Sequence, residues 1–162
     1  MPAFPHDFDQ TVEQCILMEF QAMNLYTMLA NRAEDEEAAR ILRFLAEAEE
    51  SHVGRLVELF SGVRKEAGRA LENVDIVKAF RAEAWKHYKA RLVGAGLTER
   101  SPSDDYLTFA IVAEAHARSH YDRLASEAKD PEMQEIFRIL SREEAEHERS
   151  LRRIQGTLRQ GR

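Results

Sequence analysis

Cysteine is almost absent from this chain, since Cys15 is the only one among 162 residues. A single thiol cannot form a disulfide within the chain, a zinc site built from several thiolates, or a four-cysteine iron centre. We therefore interpret Cys15 as a small buried hydrophobic residue. We also expect the protein in a reducing, cytoplasmic compartment.

Long apolar runs are missing as well. Nowhere does the chain approach the roughly 18 consecutive apolar residues of a membrane helix. The first residues lack the basic start and apolar run of a secretory signal. Lysine and arginine (23) are outnumbered by aspartate and glutamate (29), which gives a formal net charge of −6. An acidic chain is a poor candidate for binding nucleic acid, so neither a membrane nor a nucleic acid is an expected partner.

Glycine and proline are scarce, and no alternating strand pattern is sustained. Apolar residues instead recur at intervals of three and four, which predicts helices. The predicted fold is an all-α, four-helix bundle formed by one domain over residues 1–162. It consists of two antiparallel helix hairpins joined by a long crossover that contains an extra helix. The predicted helices span about residues 9–33, 37–60, 75–93 (the crossover), 102–128 and 131–158.

Local signals place several helix ends. Ser61-Gly62 is expected to end the second helix, and Gly94 with Gly96 to stop the crossover helix. Ser101 before Pro102 is interpreted as an N-cap followed by a first-turn proline. Asp130 before Pro131 repeats that signal.

One constellation of side chains occurs twice. A glutamate is followed seven residues later by a tyrosine, and further along by the motif Glu-x-x-His. Each member of the second copy lies 95 positions after its counterpart, as Glu114 does after Glu19. The first copy is Glu19, Tyr26, Glu49 and His52, and the second is Glu114, Tyr121, Glu144 and His147. A bundle that holds two metal ions takes one Glu from each of two helices and Glu-x-x-His from each of the other two.

The candidate metal ligands interrupt apolar helix faces. Buried carboxylates without a positive partner are very costly. Two divalent cations would balance four carboxylates, and two neutral imidazoles would complete the ligand set. Oxygen and nitrogen donors without thiolate suit iron or manganese, and zinc could also bind. The metal ligands predicted on this basis are Glu19, Glu49, His52, Glu114, Glu144 and His147.

Other polar residues receive weaker assignments. Tyr26 and Tyr121 could hydrogen-bond the ligand carboxylates or carry an electron, or could simply be buried tyrosines with some other acceptor. Trp85 is expected to pack the crossover helix onto the bundle or onto a partner subunit. The remaining glutamates near the two motifs are expected at the surface: Glu47, Glu50, Glu143, Glu146 and Glu148.

The two copies of the constellation resemble the ferritin-like di-iron carboxylate superfamily. The Asp130-Pro-Glu132 helix start and the overall spacing are most similar to the rubrerythrin group. The resemblance covers about residues 9–158. It implies a ferritin-like bundle with a non-haem di-iron centre, commonly in a homodimer, with the six predicted ligands as terminal and bridging ligands.

Two departures from that group affect the expected chemistry. Rubrerythrins proper carry a rubredoxin domain with four cysteines, whereas this sequence has one, so the resemblance implies an external electron donor. Many members also have a further carboxylate one turn beyond the third-helix ligand, where Ala117 stands here. The resemblance therefore does not imply redox-linked ligand switching at that position.

Three functions remain open at this point. The first is reduction of hydrogen peroxide or dioxygen at an Fe(II) pair, as a rubrerythrin-like peroxidase or ferroxidase. The second is iron binding, storage or delivery without turnover, which the acidic charge would suit. The third is oxygenation of an organic substrate, which would need an apolar pocket beside the metals.

Overall fold

A computed structural model describes residues 7–66 and 73–161, and the side chains of residues 10–62 and 77–161. It contains five helices: α1 (Asp7–Arg32), α2 (Glu36–Glu66), α3 (Asn73–Gly94), α4 (Ser103–Glu127) and α5 (Pro131–Gln160). These residues include no strand, and two helix pairs flank α3 in the order of a ferritin-like bundle, so the predicted fold class is confirmed. Within the same residues, no helix has both the length and the apolar character required to cross a membrane.

Helix α2 is longer than its sequence predicts. It continues through Ser61 and Gly62 to Glu66. A glycine ends a helix most effectively when it adopts a positive φ, and among the described residues only Gly96 does so, at 72°. Gly62 is therefore an ordinary helical residue, and the prediction that it ends α2 is wrong. Residues 67–72 of the predicted connection lie outside the described residues.

The start of α4 also differs from expectation. The helix begins at Ser103 with Pro102 in the N-cap position, and no side chain caps it. Ser101 does not act as the cap, because its hydroxyl accepts a hydrogen bond from the amide of Thr98 (2.9 Å) within the preceding turn.

The start of α5 is as predicted. The Asp130 carboxylate accepts hydrogen bonds from the amides of Glu132 (2.7 Å) and Met133 (3.2 Å). Pro131 occupies the first turn, where its missing amide hydrogen costs nothing. This cap fixes the start of the helix that carries Glu144 and His147.

The chain divides into two compact units. The first comprises residues 1–28 and 43–96, and the second comprises residues 29–42 and 97–162. In the first unit, α3 lies against α2 through an edge-to-face contact of Phe80 with Phe60, whose ring centroids are 5.6 Å apart. It lies against α1 through the Arg81 guanidinium, 5.5 Å from the centroid of the Phe20 ring.

In the second unit, α4 and α5 pack side by side. The start of α4 meets the end of α5, because Asp104 accepts hydrogen bonds from Arg159 (2.8 and 3.1 Å). The two helices are therefore antiparallel. Tyr121 of α4 stacks on Phe137 of α5, with 6.2 Å between their ring centroids.

Trp85 was expected to pack either onto the bundle or onto a partner subunit. The structure does not bury it against the other described residues. Its side chain is 49% exposed on α3, and its ring lies against Tyr88 with 5.8 Å between the centroids. Contact with a partner subunit, the other position expected for Trp85, stays a prediction.

Candidate metal centre

In the first unit, Glu19 of α1 and Glu49 and His52 of α2 converge, and we call them the N-terminal triad. The Nδ1 atom of His52 lies 3.0 Å from a carboxylate oxygen of Glu49 and 3.3 Å from one of Glu19. All three residues are buried, with at most 2% of their surface exposed. The i, i+3 spacing of Glu49 and His52 places both on one side of α2.

In the second unit, Glu114 of α4 and Glu144 and His147 of α5 form an equivalent C-terminal triad. The Nδ1 atom of His147 lies 3.1 Å from a carboxylate oxygen of Glu144 and 3.7 Å from one of Glu114. No member is more than 5% exposed. The 95-residue offset in sequence therefore corresponds to two closely similar local arrangements.

Burial has a direct electrostatic consequence at Glu114. Loss of hydration, followed by repulsion from the Glu144 carboxylate, raises the pKa of the Glu114 carboxyl well above its ordinary value. The hydrogen bond and charge of His147 act in the opposite direction but do not compensate. Without a bound cation, this triad accordingly favours a protonated Glu114.

Each triad fits a divalent cation. Two carboxylates and a neutral imidazole carry a charge of −2, which one such ion would balance. Each member offers one ligand atom within 4.8 Å of those of the other two members. Two ligand atoms about 2.0–2.2 Å from one ion at right angles are about 3 Å apart, close to the separations of His52 from Glu49 and of His147 from Glu144.

The donor atoms narrow the choice of metal. Mixed oxygen and nitrogen donors without sulfur suit iron, manganese or zinc. Both histidines turn Nδ1 toward their carboxylates. A bound ion would need Nδ1 unprotonated, so each imidazole would then carry its proton on Nε2.

Tyr26 and Tyr121 are both buried, at 1% and 0% exposure. Each lies two helix turns after the glutamate of its triad, on α1 and α4 respectively. A role for the tyrosines beside the ligands or in electron transfer stays a prediction. Cys15 is buried, as expected for a small hydrophobic residue.

The neighbouring glutamates are mostly outside the core. Glu47, Glu50 and Glu146 are exposed, as predicted, and Glu143 is partly exposed. Glu148 differs, because only 12% of its side chain is exposed and its carboxylate pairs with Arg118 (3.3 Å) and Arg152 (2.8 Å). Arg118 belongs to α4, so Glu148 joins α5 to α4 rather than facing solvent alone.

Sequence reasoning missed one polar contact next to the N-terminal triad. Gln21 is only 8% exposed, and its side-chain oxygen accepts a hydrogen bond from the Arg91 guanidinium of α3. Burial lowers the pKa of Arg91. The detectable signal was a glutamine within a largely apolar stretch of α1, two residues after Glu19.

The family comparison agrees with these local arrangements. The rubrerythrin family model matches residues 11–98 and 105–162, which include all six triad members. Searches of curated proteins and of solved structures returned no match. Because the family match covers most of the sequence, the chain belongs to the rubrerythrin family of the ferritin-like di-iron carboxylate superfamily.

Proposed function

We propose that the protein is a non-haem di-iron protein that reduces hydrogen peroxide or dioxygen. One iron ion is assigned to each triad, and the two ions act as a pair. The observation that carries the proposal is the recurrence of a buried Glu, Glu, His arrangement in both units. Bound Fe(II) would supply one electron per ion, so that two Fe(II), one H₂O₂ and two protons give two Fe(III) and two H₂O.

The residues of the chain have three tasks in this scheme. The four glutamates provide negative charge that favours the higher oxidation state, since the trivalent ion gains more from the same carboxylates. The imidazoles of His52 and His147 act as neutral nitrogen donors. Burial of all six side chains limits the access of water, which strengthens each electrostatic contact.

The proposal includes partners and a location. An external donor returns the electrons, because the single cysteine of this sequence cannot form an iron–sulfur site. We place the protein in the cytoplasm and expect a homodimer. Sedimentation of the iron-loaded protein would test the dimer.

Iron storage or delivery without turnover is the second candidate. The exposed acidic turn formed by Glu34, Asp35, Glu36 and Glu37 would attract cations. Asp35, however, already has a structural task, since its carboxylate accepts a hydrogen bond from the amide of Ala38 (2.9 Å) at the start of α2. The acidic turn is therefore weaker support than the buried triads.

Oxygenation of an organic substrate is less favoured. The second unit does contain a cavity of about 630 Å³, lined by apolar residues that include Leu29, Leu107 and Ile154 and also by several charged side chains. Leu107 precedes Glu114 by seven residues, and Ile154 follows His147 by seven, so each wall residue lies about 10 Å along its helix from the triad. The cavity does not adjoin the candidate ligands of this unit, as an oxygenase substrate would require.

Optical absorption after anaerobic Fe(II) loading tests the reaction. Peroxide and dioxygen are then added separately to the loaded protein. Rapid, peroxide-selective oxidation with two irons per chain supports a peroxidase, whereas uptake of many irons without oxidant preference supports storage. Electron paramagnetic resonance tests pairing, because coupled ferric ions give no signal whereas two isolated ferric ions give a strong one.

Metal stoichiometry tests the ligands. Glu19→Ala and His147→Ala each remove one donor from a different triad, so each variant should bind fewer than two ions per chain. Glu146→Ala removes an exposed glutamate of α5 and serves as the matched control with full loading. Binding of two metal ions per chain by both triad variants would contradict the assignment of the triads as the metal sites.

A further inference from the structure

Helix α3 carries an unusual outer surface. Lys78, Trp85, Lys89 and Val93 follow one another at intervals of seven, four and four residues, which places them along one side of the helix. We call these four residues the α3 outer face. Trp85 is 49% exposed and Val93 is 75% exposed, and the Lys89 ammonium lies 5.1 Å from the centroid of the Trp85 ring.

Packing within the first unit does not explain this face. The opposite side of α3 supplies the buried residues Ala84 and Tyr88. Apolar residues thus occur on both sides of the helix, which is typical of a helix that contacts something on each side. Trp85 is also the only tryptophan of the chain, and tryptophan is enriched at the energetic centres of protein interfaces.

The charge of α3 indicates the kind of partner. Residues 77–94 include five basic side chains, of which Arg81 and Arg91 contact α1. Lys78 and Lys89 remain as the basic members of the α3 outer face, whereas the whole chain has a net charge of −6. A concentration of positive charge on an otherwise acidic protein selects an acidic partner.

A second copy of the chain fits this surface poorly. A two-fold dimer through the α3 outer face would place the same patch against itself, so two surfaces of the same positive sign would meet. The face is also small, roughly 22 Å long and 10 Å wide. Surfaces of that order suit transient redox encounters better than stable dimers, which bury about 1,600 Å² in total.

The inner contacts of α3 lead to the N-terminal triad. Arg81 lies over the Phe20 ring, and Arg91 donates a hydrogen bond to Gln21. Phe20 and Gln21 directly follow the candidate ligand Glu19 in α1. Packed helices have axes about 8–10 Å apart, so one helix thickness separates a protein docked on α3 from the helix that holds Glu19.

We propose that the α3 outer face is the docking site for a small acidic electron-transfer protein. This inference rests on the proposed function, since it names the donor that returns electrons to iron. Each encounter moves one electron from the reduced donor to one Fe(III). Two reduced donors are therefore oxidised for each pair of ions that returns to Fe(II).

Binding can be measured without metal. The metal-free protein is titrated with an oxidised, tryptophan-free, acidic plant-type [2Fe–2S] ferredoxin, and Trp85 fluorescence reports contact at the face itself. We expect saturable quenching that weakens about tenfold or more in Lys78→Glu/Lys89→Glu. The control Arg40→Glu/Lys129→Glu makes the same change in net charge at exposed positions outside α3 and should bind like the unchanged protein.

Three results would overturn the docking proposal. One is absence of saturable quenching, and another is equal affinity of the face variant and the control variant. The third is a change in sedimentation of the face variant alone, which would assign the face to a second copy of the chain. A basic cytochrome c serves as the opposite-charge probe and should cause no saturable quenching.

Electron transfer separates this inference from the proposed function. Reduction of the Fe(III)-loaded protein by reduced ferredoxin should slow about tenfold or more in the face variant, whereas reduction by dithionite should be unchanged. Equal rates of reduction by ferredoxin for the face variant and the unchanged protein would overturn the docking proposal but not the proposed function. Failure of the dithionite-reduced protein to react with peroxide or dioxygen would instead overturn the proposed function, whatever the binding result.

Discussion

At the scale of single residues, Glu114 shows how burial and charge act together. Its carboxyl has a pKa raised by loss of hydration and by the Glu144 carboxylate. A carboxyl with a raised folded-state pKa adds stability at low pH and loses that contribution as the pH rises toward its folded-state pKa. The loss begins above about pH 4.3, the ordinary value for a glutamate in an unfolded chain.

Glu114→Gln should therefore stabilise the chelated, metal-free protein at neutral pH. Glutamine stays neutral, whereas the buried glutamate must either ionise or keep its proton at neutral pH. A gain of about 1 kcal/mol in the free energy of unfolding corresponds to roughly 2–4 °C in Tm for a chain of this size. Thermal unfolding in chelator between pH 5 and 8 provides the measurement. The Tm of the unchanged protein should fall more steeply with pH than that of the variant.

Glu146→Gln is the control for this prediction, because Glu146 is an exposed glutamate of the same helix α5 as Glu144. Its pH profile should match that of the unchanged protein. Parallel profiles for Glu114→Gln and the unchanged protein would show that the Glu114 carboxyl does not ionise differently in the folded and unfolded states.

The sequence predicted the burial of the six triad members well, because a charged residue within the apolar face of a helix is carried into the core with that face. It failed for Glu148, whose burial depends on Arg118 of another helix. It failed in part for Trp85, since the helical repeat places tryptophan on a side of α3 but does not say what that side meets. Contacts between helices decide both cases.

At the scale of helices, capping explains which ends could be predicted. The Asp130 cap uses a side chain and a proline next to each other in sequence, so a local pattern was sufficient. The end of α2 was missed because Gly62 can be helical or left-handed, and the sequence does not distinguish these. Ser101 was misassigned because a competing turn uses its hydroxyl.

Asp130→Ala should destabilise the protein by about 0.5–2 kcal/mol, because two amides at the start of α5 lose their acceptor. Asp130→Asn keeps an acceptor at the same position and should cost much less. Urea unfolding followed by circular dichroism measures both changes. The control Ser101→Ala should have little effect on α4, whose start has no side-chain cap.

Equal midpoints for Asp130→Ala and Asp130→Asn would contradict the capping explanation. If Asp130→Ala bound fewer metal ions and Asp130→Asn did not, the start of α5 would also be needed to position Glu144 and His147. Those residues lie about four helix turns further along α5, so we expect stoichiometry to be unchanged.

At the scale of the whole molecule, the repeated constellation relates the sequence to the fold. The sequence predicted the order of five helices and the burial of both sets of candidate ligands, because the 95-residue repeat and the helical period are independent signals that agree. Their role as metal ligands stays a prediction. The sequence could not predict the outer face of α3 or the cavity near Leu107, since both depend on how neighbouring helices leave surfaces uncovered.

Metal binding should stabilise the whole folded chain, because the unfolded chain does not hold three ligands of either triad together. An ion at a hundred times its Kd contributes about 2.7 kcal/mol, which corresponds to roughly 5–10 °C in Tm. Two occupied triads should give about twice that shift. Mn(II) is the preferred ion for this thermal measurement, since it suits the donors without reacting with dioxygen as readily as iron.

The variants allow the two triads to be separated in the same experiment. His147→Ala leaves the N-terminal triad complete, so Mn(II) should raise its Tm by about half the shift of the unchanged protein. Glu146→Ala should retain the full shift. An undiminished shift in His147→Ala would mean that the stabilising ions bind elsewhere, whereas complete loss would mean that neither triad holds its ion without the other.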